Sequence, residues 1–259
     1  MAITLRSRRE IELMRKAGVV VADVLLKLKE MAGPGVSTAE LDAKAAIVTS
    51  QAGAQPLFKG VRNPSARMPF PGVICASINE QVVHGIPSEH VKLKEGDILS
   101  IDYGTRLGGY CGDAAVTIAI GEITEENRRL IEITRQALDT AIARAAPGIR
   151  WSAIAGEMQK LVESAGFSVV REFVGHGIGT QMHEEPRVPN FVNSELLSND
   201  IVLAEGMVLA VEPMINSGAC DVRTLKDGWT VVTKDSKCSA HFEHTISITG
   251  NGCEVLTAK

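Results

Sequence analysis

Four carboxylates interrupt apolar, strand-like runs of this sequence: Asp102, Asp113, Glu212 and Glu243. An unpaired charge is costly to bury, so carboxylates in such places need a partner. Divalent cations would supply one, and His176, in a glycine-rich stretch, would add an imidazole. A donor set rich in oxygen, with one imidazole and no thiolate, favours Co²⁺, Mn²⁺, Fe²⁺ or Zn²⁺ in a two-metal site over a structural zinc. Two ions about 3.5–4 Å apart can lower the pKa of a shared water, which is chemistry suited to hydrolysis.

Asp102 and Asp113 flank a predicted hairpin turn at residues 107–109. A turn centred between Leu107 and Gly108 would place the two aspartates opposite each other, with Cβ atoms about 4.5–5.5 Å apart. A cation between the two carboxylates would remove their repulsion. Two solvent-facing aspartates on an exposed hairpin explain the pair equally well, so the pair alone leaves both interpretations open.

Two histidines, His176 and His183, lie in the glycine-rich stretch 175–186, which we expect to be a loop after a strand. Glycines let the backbone approach an ion or a substrate closely. The stretch lacks the terminal Lys-Ser/Thr of a phosphate-binding P-loop. Taken singly, His176 is more often a structural histidine, and His84 is as compatible with capping a turn.

Helical patterns alternate with strand patterns along the chain. Ser7 with Glu10, and Ser37 with Glu40, form capping boxes that open two helices. Thr124 opens a third helix, and a fourth follows it. Predicted strands rich in β-branched residues cover 97–103, 110–120, 169–174, 207–215, 230–233 and 245–248. Helix pairs set apart from antiparallel strands predict an α+β fold.

Two dipeptides that are typical of turns each occur twice in the chain, at the same spacing. Pro34-Gly35 recurs 113 positions later as Pro147-Gly148, and Ala52-Gly53 recurs at the same spacing as Ala165-Gly166. Since these dipeptides are common turn signals, chance is the alternative to an internal duplication. We expect a single domain over residues 1–259 with pseudo-symmetric halves at about 7–120 and 121–250.

Composition narrows the class of protein. The chain has 259 residues, 45 % of them hydrophobic, and a net charge of −4, which argues against nucleic-acid binding through bulk charge. No apolar run approaches the ~20 residues of a membrane span, and the N-terminus lacks the apolar core of a signal peptide. The five cysteines are scattered without a Cys-x-x-Cys pair, which favours a reducing compartment. We expect a cytoplasmic monomer without a membrane or nucleic-acid partner.

Five motifs in order resemble those of type I methionine aminopeptidases. They are 77–87 around His84, Asp102 followed by Asp113, the stretch 175–186, residues 211–214 and residues 242–245. The resemblance runs from about residue 8 to 249. It implies the pita-bread fold, with a helix pair packed on antiparallel strands in each half.

The resemblance also implies a role for each site residue. Asp102 would chelate one metal ion, His176 and Glu212 would bind the other, and Asp113 and Glu243 would bridge both. A bridging hydroxide would attack the carbonyl of an N-terminal methionine, and Glu212 would pass the proton to the leaving amine. His183 would hydrogen-bond the oxyanion, and His84 the scissile amide. The predicted walls of the methionine pocket are Phe70, Cys75 and Trp229, for which ordinary packing is the alternative.

The implied substrates are nascent polypeptides with a small second residue, and the ribosome is a further partner that the resemblance implies. Three positions depart from the pattern of the resemblance: Val61 in the long, rim-like loop 59–71, Met182, and His241, where an amide residue is usual. These departures bear on side-chain preference and rim contacts.

Three alternatives compete with this interpretation. A peptidase of the same fold that cleaves before proline would share the five ligands, but such relatives usually carry a further N-terminal domain. A non-catalytic pita-bread binding protein would normally have lost ligands, whereas all five are present here. A dinuclear phosphate-ester hydrolase would need cations near the metals, and Arg62 or Arg67 would have to approach from the loop 59–71.

Overall fold

The computed structural model describes residues 3–259. Its helices are α1 (Arg8–Met31), α2 (Thr38–Gln51), α3 (Glu125–Arg144), α4 (Trp151–Ser164) and α5 (Ser194–Ser198). Its strands are β1 (Gln55–Pro56), β2 (Cys75–Ile78), β3 (Gln81–Val83), β4 (Ile98–Leu107), β5 (Tyr110–Ala119), β6 (Ser168–Val169), β7 (Gly175–Gly177), β8 (Glu184–Val188), β9 (Val208–Val211), β10 (Met214–Asn216), β11 (Val222–Thr224), β12 (Val231–Thr233), β13 (Ser239–His241), β14 (Glu243–Thr249) and β15 (Gly252–Val255).

The predicted helix starts are confirmed. Ser7 and Ser37 each accept a hydrogen bond from the backbone of the glutamate three residues on, and that glutamate bonds back, which completes both capping boxes. Thr124 caps α3 through the backbone N–H of Asn127. Each cap satisfies N–H groups that the first helical turn leaves without partners.

A helix and a strand in the first part of the chain have counterparts at the same sequence spacing in the second part. The bounds of α4 and β6 lie 113 positions after those of α2 and β1. Gly35 and Gly148, before these helices, share a positive φ of 91° and 83°. An internal duplication would produce this spacing. The division into halves near residue 120 stays a prediction.

An antiparallel nine-stranded sheet forms the centre of the molecule, in the order β1-β4-β5-β14-β9-β7-β8, with β2 on β4 and β15 on β14. Two three-stranded sheets, β13-β10-β6 and β11-β12-β3, lie beside it. The helix pair α1 and α2 packs one apolar core against β4 and β5, and α3 and α4 pack another that includes residues of β9 and β14. This mixed arrangement confirms the α+β prediction.

Two strand predictions need correction. The run 169–174 is strand only at its start, in β6, and the run 207–215 is divided into β9 and β10 by Glu212 and Pro213. Proline cannot donate to a strand ladder, so Pro213 ends the pairing of β9 beside Glu212. No helix within residues 3–259 has the length and apolar character needed to cross a membrane.

Candidate metal centre and substrate cavity

A cavity of about 870 Å³ lies over the middle of the large sheet. All ten residues that the sequence nominated for the site line it: Phe70, Cys75, His84, Asp102, Asp113, His176, His183, Glu212, Trp229 and Glu243. Residues far apart in sequence therefore meet at one place. Their individual roles stay predictions.

The five nominated ligands come from neighbouring strands. Asp102 lies on β4, Asp113 on β5 and Glu243 on β14, while His176 lies on β7 and Glu212 follows β9. Since β4, β5, β14, β9 and β7 are consecutive in the sheet, their side chains converge. His176 was expected in a loop, and this was wrong, because β7 pairs with both β8 and β9.

The two aspartates are not directly opposite each other, contrary to the expectation from the turn. Asp102 pairs with Ala115, and Asp113 pairs with Gly104, so the aspartates are diagonal neighbours on one face. The hairpin turns at Gly108 and Gly109, both with positive φ. The observed pairing differs from the predicted one by two residues. Because side chains alternate between the two faces of a strand, this difference leaves both aspartates on the same face of the sheet.

The donor atoms lie at distances that suit a shared cation. Ligand atoms of Asp113, His176 and Glu243 all lie within 4.8 Å of one another. The Oδ1 atoms of Asp102 and Asp113 and the Oε1 atom of Glu243 are buried without a hydrogen-bond partner. Buried polar atoms of a folded protein are nearly always paired, and a divalent cation is a partner that would suit these unpaired oxygens. The residues present therefore suit the divalent metal that the donor set predicts.

The raised pKa values of the four buried carboxyl groups also favour a bound cation. Burial raises the pKa of Asp113 to about 7. Burial and then repulsion from Asp113 raise the pKa of Asp102 and of Glu243 well above their ordinary values. For Glu212, burial comes first and repulsion from Asp102 second. Carboxylates that resist ionisation when alone are those that a bound cation stabilises most, because it removes both the repulsion and the unpaired charge.

His176 is held in the neutral form that a metal ligand requires. Its Nδ1 lies 2.9 Å from the backbone carbonyl oxygen of Gly177, so Nδ1–H donates there and Nε2 keeps its lone pair. Burial, followed by the neighbouring His183, lowers the pKa of His176 to about 4. Nε2 lies 3.6 Å from Glu212 Oε1, which puts two candidate ligands side by side.

An apolar wall closes one side of the cavity. The rings of Phe70 and Trp229 meet edge to face with centroids 5.2 Å apart, and Cys75 belongs to the same cluster. Trp229 Nε1 donates to the Met68 carbonyl at 3.0 Å, and its backbone N–H donates to Asp227 at 2.8 Å. These contacts fix the indole against the loop 59–71, so this apolar surface is preformed.

The two remaining histidines face the cavity from different elements. The ring centroid of His183 lies 4.3 Å from that of His176. His84 has a positive φ of 59°, and its ring meets Phe173 edge to face at 5.6 Å. Burial, followed by His183, lowers the pKa of His84 to about 4, so it is neutral at pH 7. Neutral imidazoles beside the ligands are able to donate hydrogen bonds to a bound amide.

Sequence reasoning did not assign a role to His241 or Arg6. The buried Nε2 atom of His241 lies 3.7 Å from Glu212 Oε2, while His176 lies beside the other oxygen of the same carboxylate. Burial, followed by the neighbouring His84, lowers the pKa of His241 to about 3. The unusual imidazole at position 241 was the sequence signal that could have identified this residue as part of the site.

Arg6 lines the cavity from the N-terminal segment, and no local pattern marks it, since its partner Glu184 is 178 positions away. The cations Arg62 and Arg67 are not among the cavity-lining residues of the described chain.

Comparisons with known proteins agree with this geometry. The sequence profile of metallopeptidase family M24 matches residues 12–250. The methionine aminopeptidase of Clostridium perfringens is 48 % identical over 98 % of this chain and 98 % of its own. The structure of methionine aminopeptidase from Thermotoga maritima superposes with a TM-score of 0.93 at 40 % identity, with all of both chains covered. Prolidase from Pyrococcus furiosus, at 23 % identity, shares the fold with a TM-score of 0.73 over 98 % of this chain and 65 % of its own.

Fold, donor set and profile match together define a metal-dependent peptidase, a hydrolase with the pita-bread fold. More narrowly, the chain belongs to the methionine aminopeptidases of metallopeptidase family M24. The resemblance drawn from the five sequence motifs is thereby confirmed.

Proposed function

We propose that this protein removes the N-terminal methionine from polypeptides whose second residue is small, with two divalent ions at the carboxylate cluster. The observation that carries the proposal is the group of buried, unpartnered carboxylate oxygens beside an apolar pocket. The first feature suits a cation, and the second suits a methionine side chain.

The ligands divide between the two ions according to their place in the sheet. Asp102 would hold one ion, His176 and Glu212 the other, and Asp113 with Glu243 would contact both. The central position of Asp113 and Glu243, whose donor atoms lie within 4.8 Å of each other and of a donor atom of His176, supports this division. Bound divalent ions would supply Lewis acidity and lower the pKa of water, so that a nucleophile forms at neutral pH. Co, Mn, Fe and Zn all suit the donor set.

The apolar wall would bind the substrate side chain. A methionine thioether makes favourable contacts with aromatic rings, which Phe70 and Trp229 offer at the cavity surface. Cys75 adds a small apolar surface whose thiol stays protonated, because burial first and the charge of Asp102 second raise its pKa. The pocket thus excludes water from the bound side chain and places the N-terminal residue over the cluster.

Three polar residues would act on the scissile bond. His183 would donate a hydrogen bond to the carbonyl oxygen as negative charge develops there, and His84 would bond the scissile amide. Glu212 would carry a proton from the attacking water to the leaving amine, a role that its position among the cavity-lining residues beside His176 supports. His176 and His241 flank the two oxygens of Glu212, at 3.6 and 3.7 Å, which restricts the orientation of that carboxylate.

The natural substrates would be newly made polypeptides in the cytoplasm, met as they leave the ribosome by a monomeric enzyme. Co-sedimentation with ribosomes at low and high salt, together with the mass in solution, tests this part of the proposal separately from the chemistry.

Release of the free N-terminal amino acid, methionine or alanine, tests the chemistry. The peptides are Met-Ala-Ser, Met-Lys-Ser and Ala-Pro-Ser, each with chelated protein and then with Mn²⁺ or Co²⁺ added. Metal-dependent cleavage of Met-Ala-Ser alone is the expected result. Cleavage of Ala-Pro-Ser would instead show a peptidase that acts before proline, and a folded, metal-loaded protein that cleaves none of the three would overturn the proposal.

A further inference from the structure

The segment 178–183 carries His183 between β7 and β8 without helical or strand structure. Its first half is tied to β5, because the backbone N–H of Cys111 donates to the Gly179 carbonyl at 2.8 Å. The Glu184 side chain holds its second half, since Oε1 accepts the backbone N–H of Gln181 at 3.0 Å. The position of His183 therefore depends on where the Glu184 carboxylate is fixed.

Arg6 fixes the other oxygen of that carboxylate. Its Nη2 lies 2.5 Å from Glu184 Oε2, and its Nη1 lies 3.4 Å from Oε1 of Glu10 on α1. The Arg6 side chain is only 8 % exposed, so the charge is largely removed from water. A buried guanidinium is tolerated when it is paired, and loss of either partner leaves a costly unpaired charge.

Two glycines make room for Arg6. A Cβ atom at Gly179 would lie 2.1 Å from Arg6 Nη2, so the guanidinium rests directly on the backbone of the segment 178–183. The Arg6 backbone N–H donates to the Gly206 carbonyl at 2.7 Å, and a Cβ at Gly206 would lie 2.8 Å from the Arg6 carbonyl oxygen. Both the backbone and the side chain of Arg6 are thus held in a fitted socket, unlike those of a surface ion pair.

We propose that Arg6 is a positioning residue, which holds the segment 178–183 through Glu184 and Gly179 so that His183 faces the reacting carbonyl. The proposal rests on the role of His183 in the proposed function. Glu184, the residue that Arg6 binds, directly follows His183 in the chain, and Arg6 and His183 line the same cavity. If Arg6 only fastened the N-terminal segment, its loss would lower stability and leave turnover by the folded protein intact.

Epistasis with His183 tests the proposal. For Met-Ala-Ser with saturating Mn²⁺, Arg6→Ala is expected to lower kcat about 10- to 100-fold through a displaced catalytic group, with bound metal and KM little changed. In the His183→Ala background, the same substitution is expected to change kcat by less than about twofold, because residues that act through one another are not additive. Equal losses in both backgrounds, or no loss in a folded Arg6→Ala protein, would overturn the proposal.

A matched control removes another arginine of the same region. Arg15 on α1 pairs with Glu254 at 2.5 Å, and Arg15→Ala is expected to leave kcat unchanged. If Arg6→Ala does not fold, Arg6→Lys keeps the charge but loses the two terminal nitrogens that contact Glu184 and Glu10 together, and is expected to show the same dependence on His183.

Hydrogen exchange separates this proposal from the function on which it rests. In Arg6→Ala the Gln181 amide is expected to exchange at least about tenfold faster than in the wild type, since its acceptor Glu184 is released. This readout needs no turnover, so it applies even if the wild type releases no methionine. An unchanged exchange rate would contradict the positioning role.

Discussion

Replacing Asp113 by asparagine is expected to stabilise the metal-free protein while abolishing its stabilisation by metal. Asparagine has nearly the same shape as aspartate but carries no charge. Asp113 Oδ1 is buried without a partner, and the nearby Asp102, Glu212 and Glu243 resist ionisation in the same cavity. The substitution therefore removes one repelling charge from the cluster and one ligand from the metal.

The size of the effect follows from the pKa of Asp113. Burial raises it from 3.8 to about 7, so the folded protein keeps its proton at pH values where the unfolded chain has lost it. The contribution of Asp113 to stability therefore falls as the pH rises from about 4 to about 7, and stays low above that window. At roughly 1.4 kcal/mol per pKa unit, the full penalty is on the order of 4 kcal/mol. Since the neighbouring carboxylates relax when one charge leaves, we expect about 2–4 kcal/mol.

Urea unfolding of both proteins with chelator, at pH 4.5 and pH 8, measures this difference. Asp113→Asn should gain about 2–4 kcal/mol over the wild type at pH 8 and much less at pH 4.5. Mn²⁺ at about 100 times its dissociation constant should add about 2.7 kcal/mol to the wild type and little to the variant. Asp139→Asn is the matched control, because that exposed aspartate pairs with Arg135 at 2.8 Å away from the cavity. A variant no more stable than the wild type at pH 8 would refute the electrostatic argument.

Three further outcomes are expected. His183→Ala should lower kcat roughly 10²–10³-fold with bound metal unchanged, as loss of an oxyanion donor does, and unchanged kcat would exclude that role. Trp229→Ala should raise KM for methionine peptides and cost about 3–5 kcal/mol in urea unfolding, because a large buried aromatic is lost; an unaltered KM would place the indole outside the substrate pocket. The backbone N–H of Ser7 and then its hydroxyl lower the pKa of Glu10 to about 2, so the stability it contributes is present above about pH 4.5 and lost as the pH falls towards 2. The Tm difference between the wild type and Glu10→Gln should therefore shrink as the pH falls from about 4.5 to about 2, and a difference undiminished at pH 2 would contradict the assigned cap.

Local signals in the sequence were enough to place the helices. The Ser7–Glu10 and Ser37–Glu40 caps act within one turn of chain, so the residues that decide the helix start are adjacent in sequence. The four carboxylate ligands could also be identified from the sequence, because a carboxylate inside an apolar strand is anomalous wherever its partner lies. The donor set predicted one shared metal site and the family resemblance added a role for each residue, and the structure brings these residues to one cavity.

The strand register and the contacts between residues distant in sequence could not be predicted as well from the sequence. The turn between β4 and β5 uses Gly108 and Gly109, both at positive φ, as a two-residue hairpin turn requires. The Gly-Gly pair carried this information, but the turn was centred one residue too early. The short strand β7 pairs with β8 and β9 through few residues, so no periodic pattern reveals it. The contact of Arg6 with Glu184 joins distant parts of the chain, which no local pattern encodes.

The sheet opens at the place where its carboxylates must fit. Direct pairing of β5 with β14 is limited to two positions, at Glu243 and His244. On one side of them, the Thr245 hydroxyl bonds both the N–H and the carbonyl of Asp113, at 3.0 and 2.8 Å. On the other side, the Thr117 hydroxyl bonds both backbone groups of His241, at 2.8 Å each. Threonine side chains thus continue the ladder where backbone groups no longer reach each other. Because every backbone group at these positions stays paired, the strands can separate beside Asp113 and Glu243 without an unsatisfied N–H or carbonyl. The space for a charged cluster in the middle of an apolar sheet follows from this substitution of hydroxyl groups for backbone partners.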